Sequence, residues 1–156
     1  MATRGKYNFI DLSYMAGWMD GEGSVSITKV RDIRKKGESW QYILIVNTAN
    51  LHKGVLQWII NTFSPGRKLS KSFYRKNHFA YQWQVRDRNA LELLKILLPY
   101  LKVKKEIAKV GIEFQERKMR EQKRGIKLTE KDWEWREKYR QRMKKMYLSA
   151  ENLFPK

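Results

Sequence analysis

At 156 residues with 42% hydrophobic content, the chain is long enough for one domain with a real core; no apolar run can span a bilayer, and no secretory leader is expected. Its 34 Lys and Arg against 16 Asp and Glu give a formal charge of +18, which favours a polyanionic partner through release of counterions as phosphates are neutralised. Absence of cysteine excludes disulfides and thiolate metal sites and is compatible with a reducing compartment.

Residues 1–8 read as a mobile arm in which Arg4 and Lys6 can meet phosphates. Asp11 can cap a short helix that Gly21-Glu22-Gly23 ends, which leaves Glu22 on a tight turn before an alternating strand. Ser13, Gly17 and Gly21 recur every fourth residue, and such a face of small residues admits another backbone closely. Each Gly costs about 1 kcal/mol against Ala in a helix, so a compensating contact is expected, either with the sheet of the same domain or with another helix.

In the strand of residues 24–30, Val25 and Ile27 share one side, and Ser24, Ser26 and Thr28 the other. A charged turn at residues 31–38 and a returning strand at 40–46 complete a hairpin. Asn50 is placed as the cap of a helix reaching about residue 62, with an apolar stripe of Leu51, Val55, Leu56, Ile59, Ile60 and Phe63; Ser64-Pro65-Gly66 stops it.

A second hairpin runs through residues 67–74, a turn at 75–78 and a return strand at 79–86. There Tyr81, Trp83 and Val85 face one way and Gln82 and Gln84 the other. Asn89 with Glu92 resembles a capping box for a helix carrying Leu91, Leu94, Leu97 and Leu98, closed by Pro99. A helix from near Lys104 turns Ile107, Val110, Gly111 and Phe114 inward and frays into a charged stretch up to Gly125.

Thr129 and Asp132 can start a last helix with Trp135, Tyr139, Met143, Met146 and Tyr147 on one side. It is expected to pack back on the body, a separate DNA-contacting appendage being the alternative. Residues 148–156 read as a loosely held tail. The expected class is therefore α+β, with an αββαββα core, a twisted antiparallel four-stranded sheet forming a DNA-binding saddle, and C-terminal helices. In domains this reads as the arm at 1–8, a core at 9–115 and a charged helical extension at 116–156.

Between residues 39 and 86 no Asp or Glu interrupts Lys53, Arg67, Lys68, Lys71, Arg75, Lys76 and Arg86, which marks a polyanion-binding face. A two-stranded ribbon fits the major groove, where each base pair presents a distinct pattern of donors and acceptors. Gln82 and Gln84 can bond adenine, Lys71 can donate to guanine, and Ser26, Thr28 and Gln41 can adapt to several edges. Arg67, Lys68, Arg75 and Lys76 are assigned to phosphates, which position without specifying. Glu22 is a hard oxygen ligand near a helix C-terminus, where a bound cation relieves repulsion by the dipole.

Met15-Ala16-Gly17-Trp18-Met19-Asp20-Gly21-Glu22-Gly23 resembles the signature of the LAGLIDADG homing endonucleases, and Pro99-Tyr100-Leu101-Lys102-Val103-Lys104-Lys105 resembles that family's second landmark. The signature occurs once, and single-motif members act as homodimers. The resemblance implies a site-specific double-stranded DNA endonuclease, dependent on Mg²⁺ with Mn²⁺ able to substitute and Ca²⁺ supporting binding without cleavage. It cuts a long pseudo-palindromic target to leave short 3′ overhangs and promotes intron mobility. Ser13, Gly17 and Gly21 would line the dimer interface.

By the same resemblance Glu22 holds the metal with the Gly21 carbonyl, Asp20 is mainly structural and Lys104 stabilises charge or orients water. Between residues 46 and 53 the family places groups that organise solvent. Asn47 and Lys53 are chosen, with Thr48, Asn50 and His52 left open. The alternatives are a non-cleaving nucleic-acid-binding protein on the same fold, such as an RNA-splicing maturase that takes intron RNA or a transcription regulator, and a basic structural RNA-binding protein. The expected setting is a bacterial or archaeal cytoplasm, a chloroplast or a mitochondrion.

Overall fold

The computed structural model describes residues 4–31, 40–122 and 125–153; most of the charged turn at 31–38, the first residues of the arm and the last of the tail lie outside the described residues. After a short 3-10 turn at Arg4–Lys6, Tyr7 stacks on Phe63 at 5.0 Å between ring centroids, so residue 7 is packed on the body.

Helix α1 spans Phe9–Glu22. Its cap is Asn8 and not Asp11: Asn8 Oδ1 accepts the Asp11 N–H at 2.7 Å, and Asn8 Nδ2 donates back to the Asp11 carboxylate at 2.8 Å. Asp11 thus serves as the reciprocal partner three positions in, where its charge also suits the helix N-terminus. Leu12, Met15, Ala16 and Met19 are buried at helical spacing. Strand β1, Gly23–Arg31, follows with no turn between.

Strand β2 spans Trp40–Asn50, helix α2 Lys53–Phe63, strand β3 Ser70–Arg75 and strand β4 His78–Arg86. The four strands form one antiparallel sheet in the order β1-β2-β4-β3. Across it Val25, Val46 and Val85 stand opposite one another, and these with Ile27, Leu44, Tyr42 and Trp83 form the sheet side of the core. Strand β2 is longer than its hydrophobic alternation suggests because β4 keeps pairing with it out to Asn50, opposite Tyr81. Asn50 therefore does not cap α2. His52 does, its Nδ1 accepting the Val55 N–H at 3.2 Å, and Leu51 is left exposed outside the helix.

Helix α3 spans Asp87–Leu97 and starts ahead of Asn89 without a side-chain cap; Glu92 pairs with Arg88 at 3.5 Å on the next turn instead. Helix α4, Lys105–Glu121, buries Ile107, Val110, Gly111 and Phe114. A β-carbon at Gly111 would come within 3.1 Å of Leu44 and 3.2 Å of Leu94, so its hydrogen lets α4 lie close to both.

Helix α5, Glu130–Leu153, is opened by Thr129, which exchanges hydrogen bonds with Asp132, and it continues through much of the stretch read as a tail. It packs back on the body: Trp135 and Met143 are buried, and Tyr42 Oη donates to Glu137 at 2.6 Å. Tyr147 Oη accepts the Val25 N–H at 3.0 Å and donates to the Val25 carbonyl at 2.9 Å, so one hydroxyl satisfies both groups on the outer edge of β1. No helix among the described residues is long and apolar enough to cross a membrane.

Unpaired edge groups are costly when half-buried and invite pairing by another chain. Tyr147→Phe is expected to lower unfolding stability by about 1 kcal/mol in urea titration and to speed hydrogen exchange at the Val25 amide. Unchanged exchange there would show that α5 does not seal this edge.

Candidate active site and nucleic-acid interface

The C-terminal end of α1 leaves backbone carbonyls with no partner inside the helix, and side chains from two other elements supply donors. Thr48 on β2 is fully buried; its Oγ1 accepts the Trp18 indole N–H at 2.8 Å and donates to the Glu22 carbonyl at 3.3 Å. Lys104 Nζ donates to the Asp20 carbonyl at 2.5 Å. An ammonium here also complements the helix dipole. The Asp20 carboxylate turns the other way and accepts the backbone N–H groups of Lys102 and Lys104, each at 2.8 Å. Asp20 is thus a structural clamp, and Lys104 is its immediate neighbour.

Gly23 completes the junction. A β-carbon there would sit 2.2 Å from Met19 Cε and 2.9 Å from Met19 Cα, so no side chain is possible without moving the helix end. Its φ of −88° is ordinary, and close approach alone requires glycine. Glu22 is consequently the exposed last residue of α1, on the helix itself and not on a separate turn.

Burial pushes the Lys104 amine below the usual lysine range, while the charges of Asp20 and Glu22 draw it back up. Glu22 therefore lies within electrostatic reach of Lys104. On its other side Glu22 Oε2 accepts from Asn50 Nδ2 at 3.4 Å, a long contact on an exposed pair. Residues of β2 alternate between faces, so Thr48 and Asn50 point toward α1 while Asn47 points away. Asn47 Oδ1 accepts from Ser24 Oγ at 2.6 Å, and Asn47 stands across from Gln84. Of the polar residues between 46 and 53, the structure brings Asn50 to Glu22 and sets Asn47 on the opposite face. The signal for Asn50 was its even spacing from Thr48, masked by its resemblance to a helix cap. Lys53 opens α2 with its Nζ 5.9 Å from the Tyr81 ring centroid.

Glu22 offers one hard carboxylate beside the exposed Gly21, and among the described residues no group of three or more His, Cys, Asp or Glu could hold a metal ion. That donor set fits Mg²⁺, which keeps several waters and binds through one or two carboxylates together with phosphate oxygens. It does not fit a closed protein cage.

The sheet face away from the core carries cross-strand rows: Ser24 with Asn47 and Gln84, Ser26 with Ile45 and Arg86, Thr28 with Ile43, Val30 with Gln41, and Ala49 with Gln82 and Ser70. Gln82, Gln84, Ser26, Thr28 and Gln41 therefore share one face. Ile43 and Ile45 share it too, which makes it less polar than the sequence reading had it and gives apolar surface for a thymine methyl. Lys71 does not belong to this face. Its partner across the hairpin is Tyr81, and its Nζ lies 4.3 Å from the Phe79 ring centroid on the other side of the sheet. Arg67 and Lys68 are exposed before β3, and Arg75 and Lys76 are exposed at the hairpin tip, where Asn77 takes a φ of 66°.

The outer side of α1 is open. Ser13 is half-buried, β-carbons added at Gly17 and Gly21 would meet nothing within 4 Å among the described residues, and exposed Ile10 and Tyr14 flank them. Packing on the sheet of the same chain therefore does not account for these glycines.

The sequence model of the LAGLIDADG endonuclease family matches residues 15–119. No curated protein sequence is significantly similar to the chain. Among solved structures, the homing endonuclease I-CvuI, in complex with the I-CreI target, aligns with a TM-score of 0.61 and 16% identity over 88% of this chain and 94% of its own. An archaeal intron-encoded homing endonuclease complexed with DNA, I-Vdi141I, aligns at 0.56 and 15% identity over 89% and 98%. I-GzeII, a LAGLIDADG homing endonuclease in complex with its DNA target, aligns at 0.60 and 15% identity over 83% of this chain but only 43% of its own. The signature segment closing α1, the second landmark at Lys104 and the core from the second half of α1 through α3 fall within the family match, and the chain belongs to the LAGLIDADG endonuclease family.

Proposed function

We propose that the protein is a homodimeric, Mg²⁺-dependent endonuclease that cuts both strands of a long pseudo-palindromic DNA. The observation that carries this reading is an exposed carboxylate, Glu22, set within electrostatic reach of a clamped ammonium, Lys104, at the end of a helix that borders an acid-free sheet face. A regulator that only bound DNA would need the face and not the pair.

In this reading the open face lies in the major groove, with Gln82 and Gln84 at base edges and Arg67, Lys68, Arg75 and Lys76 on phosphates. Glu22, with the Gly21 carbonyl, would hold the cation. When bound, Mg²⁺ supplies Lewis-acid polarisation of the phosphate and lowers the pKa of water. Lys104 spends one N–H on the Asp20 carbonyl and keeps others to meet charge developing on phosphate oxygen. Asn50 Nδ2 approaches one oxygen of Glu22 at 3.4 Å, and the carboxylate's other oxygen would be the one to ligate.

The dimer is supported by the unpartnered Gly17 and Gly21 face of α1 and by coverage: the chain spans nearly all of I-CvuI and less than half of I-GzeII. Two copies meeting along α1 would bring two Glu22 carboxylates together over opposite strands. The I-CvuI complexes with DNA in the presence of 2 mM Mg, where the DNA was not cleaved, and of 2 mM Ca support a divalent ion accompanying the DNA here.

Cleavage selection from a randomised duplex library with Mg²⁺ tests the activity. Recovery of one long consensus with defined 3′ ends is expected. A library bound tightly but left uncut would favour a non-cleaving regulator or maturase. Dimerisation is tested separately by Gly17→Leu, which has room within the chain. Sedimentation should show folded monomer, and a wild type that is itself monomeric on its DNA would overturn the two-fold arrangement.

A further inference from the structure

Four residues of the second hairpin, Lys71, Phe73, Phe79 and Tyr81, are not used by the duplex-facing surface. The register sets Lys71 opposite Tyr81 and Phe73 opposite Phe79, so all four lie on the side of the sheet away from Gln82 and Gln84. Among the described residues the helices pack on β1, β2 and β4, and none makes more than a marginal contact with β3, so the β3 edge of the helix side is uncovered, with Phe79 and Tyr81 half-buried behind it. Phe73 is 67% exposed. Ring centroids step from Phe73 to Phe79 at 5.7 Å and from Phe79 to Tyr81 at 5.4 Å. Ammonium groups accompany the rings, Lys71 at 4.3 Å from Phe79 and Lys53 at 5.9 Å from Tyr81.

We propose that this row is a second nucleic-acid surface, a stacking platform for a single-stranded polynucleotide. Bases in a duplex are stacked on one another and offer their edges to a groove, and the face assigned to that groove is the opposite one, so these rings are not placed for duplex readout. Unstacked bases lie on aromatic faces while cations follow the backbone, which is the combination present here. Charge complementarity supports that occupant: no Asp or Glu occurs between residues 39 and 86. A second copy pairing along β3 would set Lys71 and Arg75 of each edge against their counterparts, a like-charge arrangement that protects edges from pairing. The inference goes beyond the proposed cleavage and needs no catalysis to be tested.

The test uses the full chain and fluorescein-labelled RNA and DNA single strands of ~12 nucleotides and one sequence, with a duplex of that sequence, read by anisotropy at one salt concentration. Phe73→Ala changes no charge and should weaken single-strand binding about tenfold while leaving duplex binding within about twofold. Phe73→Trp should restore it, and Ser72→Ala, on the opposite face, should leave it unchanged. In a parallel arm, strands carrying 5-iodouracil should photocrosslink to the peptide containing residues 71–81.

A loss confined to RNA supports the platform and assigns it RNA; an equal loss for both single strands supports it and assigns either sugar. Equal losses for single strand and duplex, no loss at all, failure of Phe73→Trp to bind, or a change of sedimentation with Phe73→Ala, which would indicate a second copy on this face, each overturns it.

Discussion

Everything at the candidate site depends on one carboxylate, Asp20, and the backbone it holds. By accepting the N–H groups of Lys102 and Lys104 it fixes the segment before α4 against the end of α1, and the Lys104 side chain then returns to the Asp20 carbonyl. Hydrogen bonds to a charged acceptor contribute about 1.5 to 3 kcal/mol each, so the pair is strong enough to set where Lys104 stands. Thr48 and Gly23 fix the same helix end from the sheet side. Glu22 is the residue left over: exposed, held lightly by Asn50, and within electrostatic reach of an amine that burial makes a weaker base. One acidic residue of the signature builds the corner, and the other is left exposed beside it.

A period of two governs the rest of the surface. Residues one apart on a strand face opposite sides, so the register that aligns Val25, Val46 and Val85 in the core also aligns Ser24, Asn47 and Gln84 outside it. The same parity puts Lys71 behind the sheet with Phe79 and Tyr81 and brings Asn50 to Glu22 in place of Asn47. A single residue's shift in β3 or β2 would exchange these roles.

Periodicity made most of the architecture legible in the sequence. The stripes of α2, α4 and α5 and the alternation of β1 and β4 all report a local repeat that the fold obeys. Helix starts were harder, because Asp11, Asn50 and Asn89 are each competent caps and only tertiary pairing decides which is used. Asn50 was claimed by the sheet, Asn89 fell inside a helix already begun, and Asp11 became the partner of Asn8. Of the site, the signature and second landmark named Glu22, Asp20 and Lys104. The clamp joining them spans more than eighty residues of chain and has no local signal. Nor does the Tyr147 seal on β1, which joins residues 122 apart.

The central claim is that Glu22 cuts and the rest of the surface binds. Glu22→Gln keeps the side chain's size and its contact with Asn50 while removing the charge that would hold a cation, and nothing on the sheet face changes. The measurement is duplex binding by mobility shift in Ca²⁺ and cleavage in Mg²⁺ for the same variant on the selected target. The account predicts binding at or slightly above the wild-type affinity with no detectable cleavage. Near-normal cleavage by Glu22→Gln, or loss of binding together with cleavage, would contradict it.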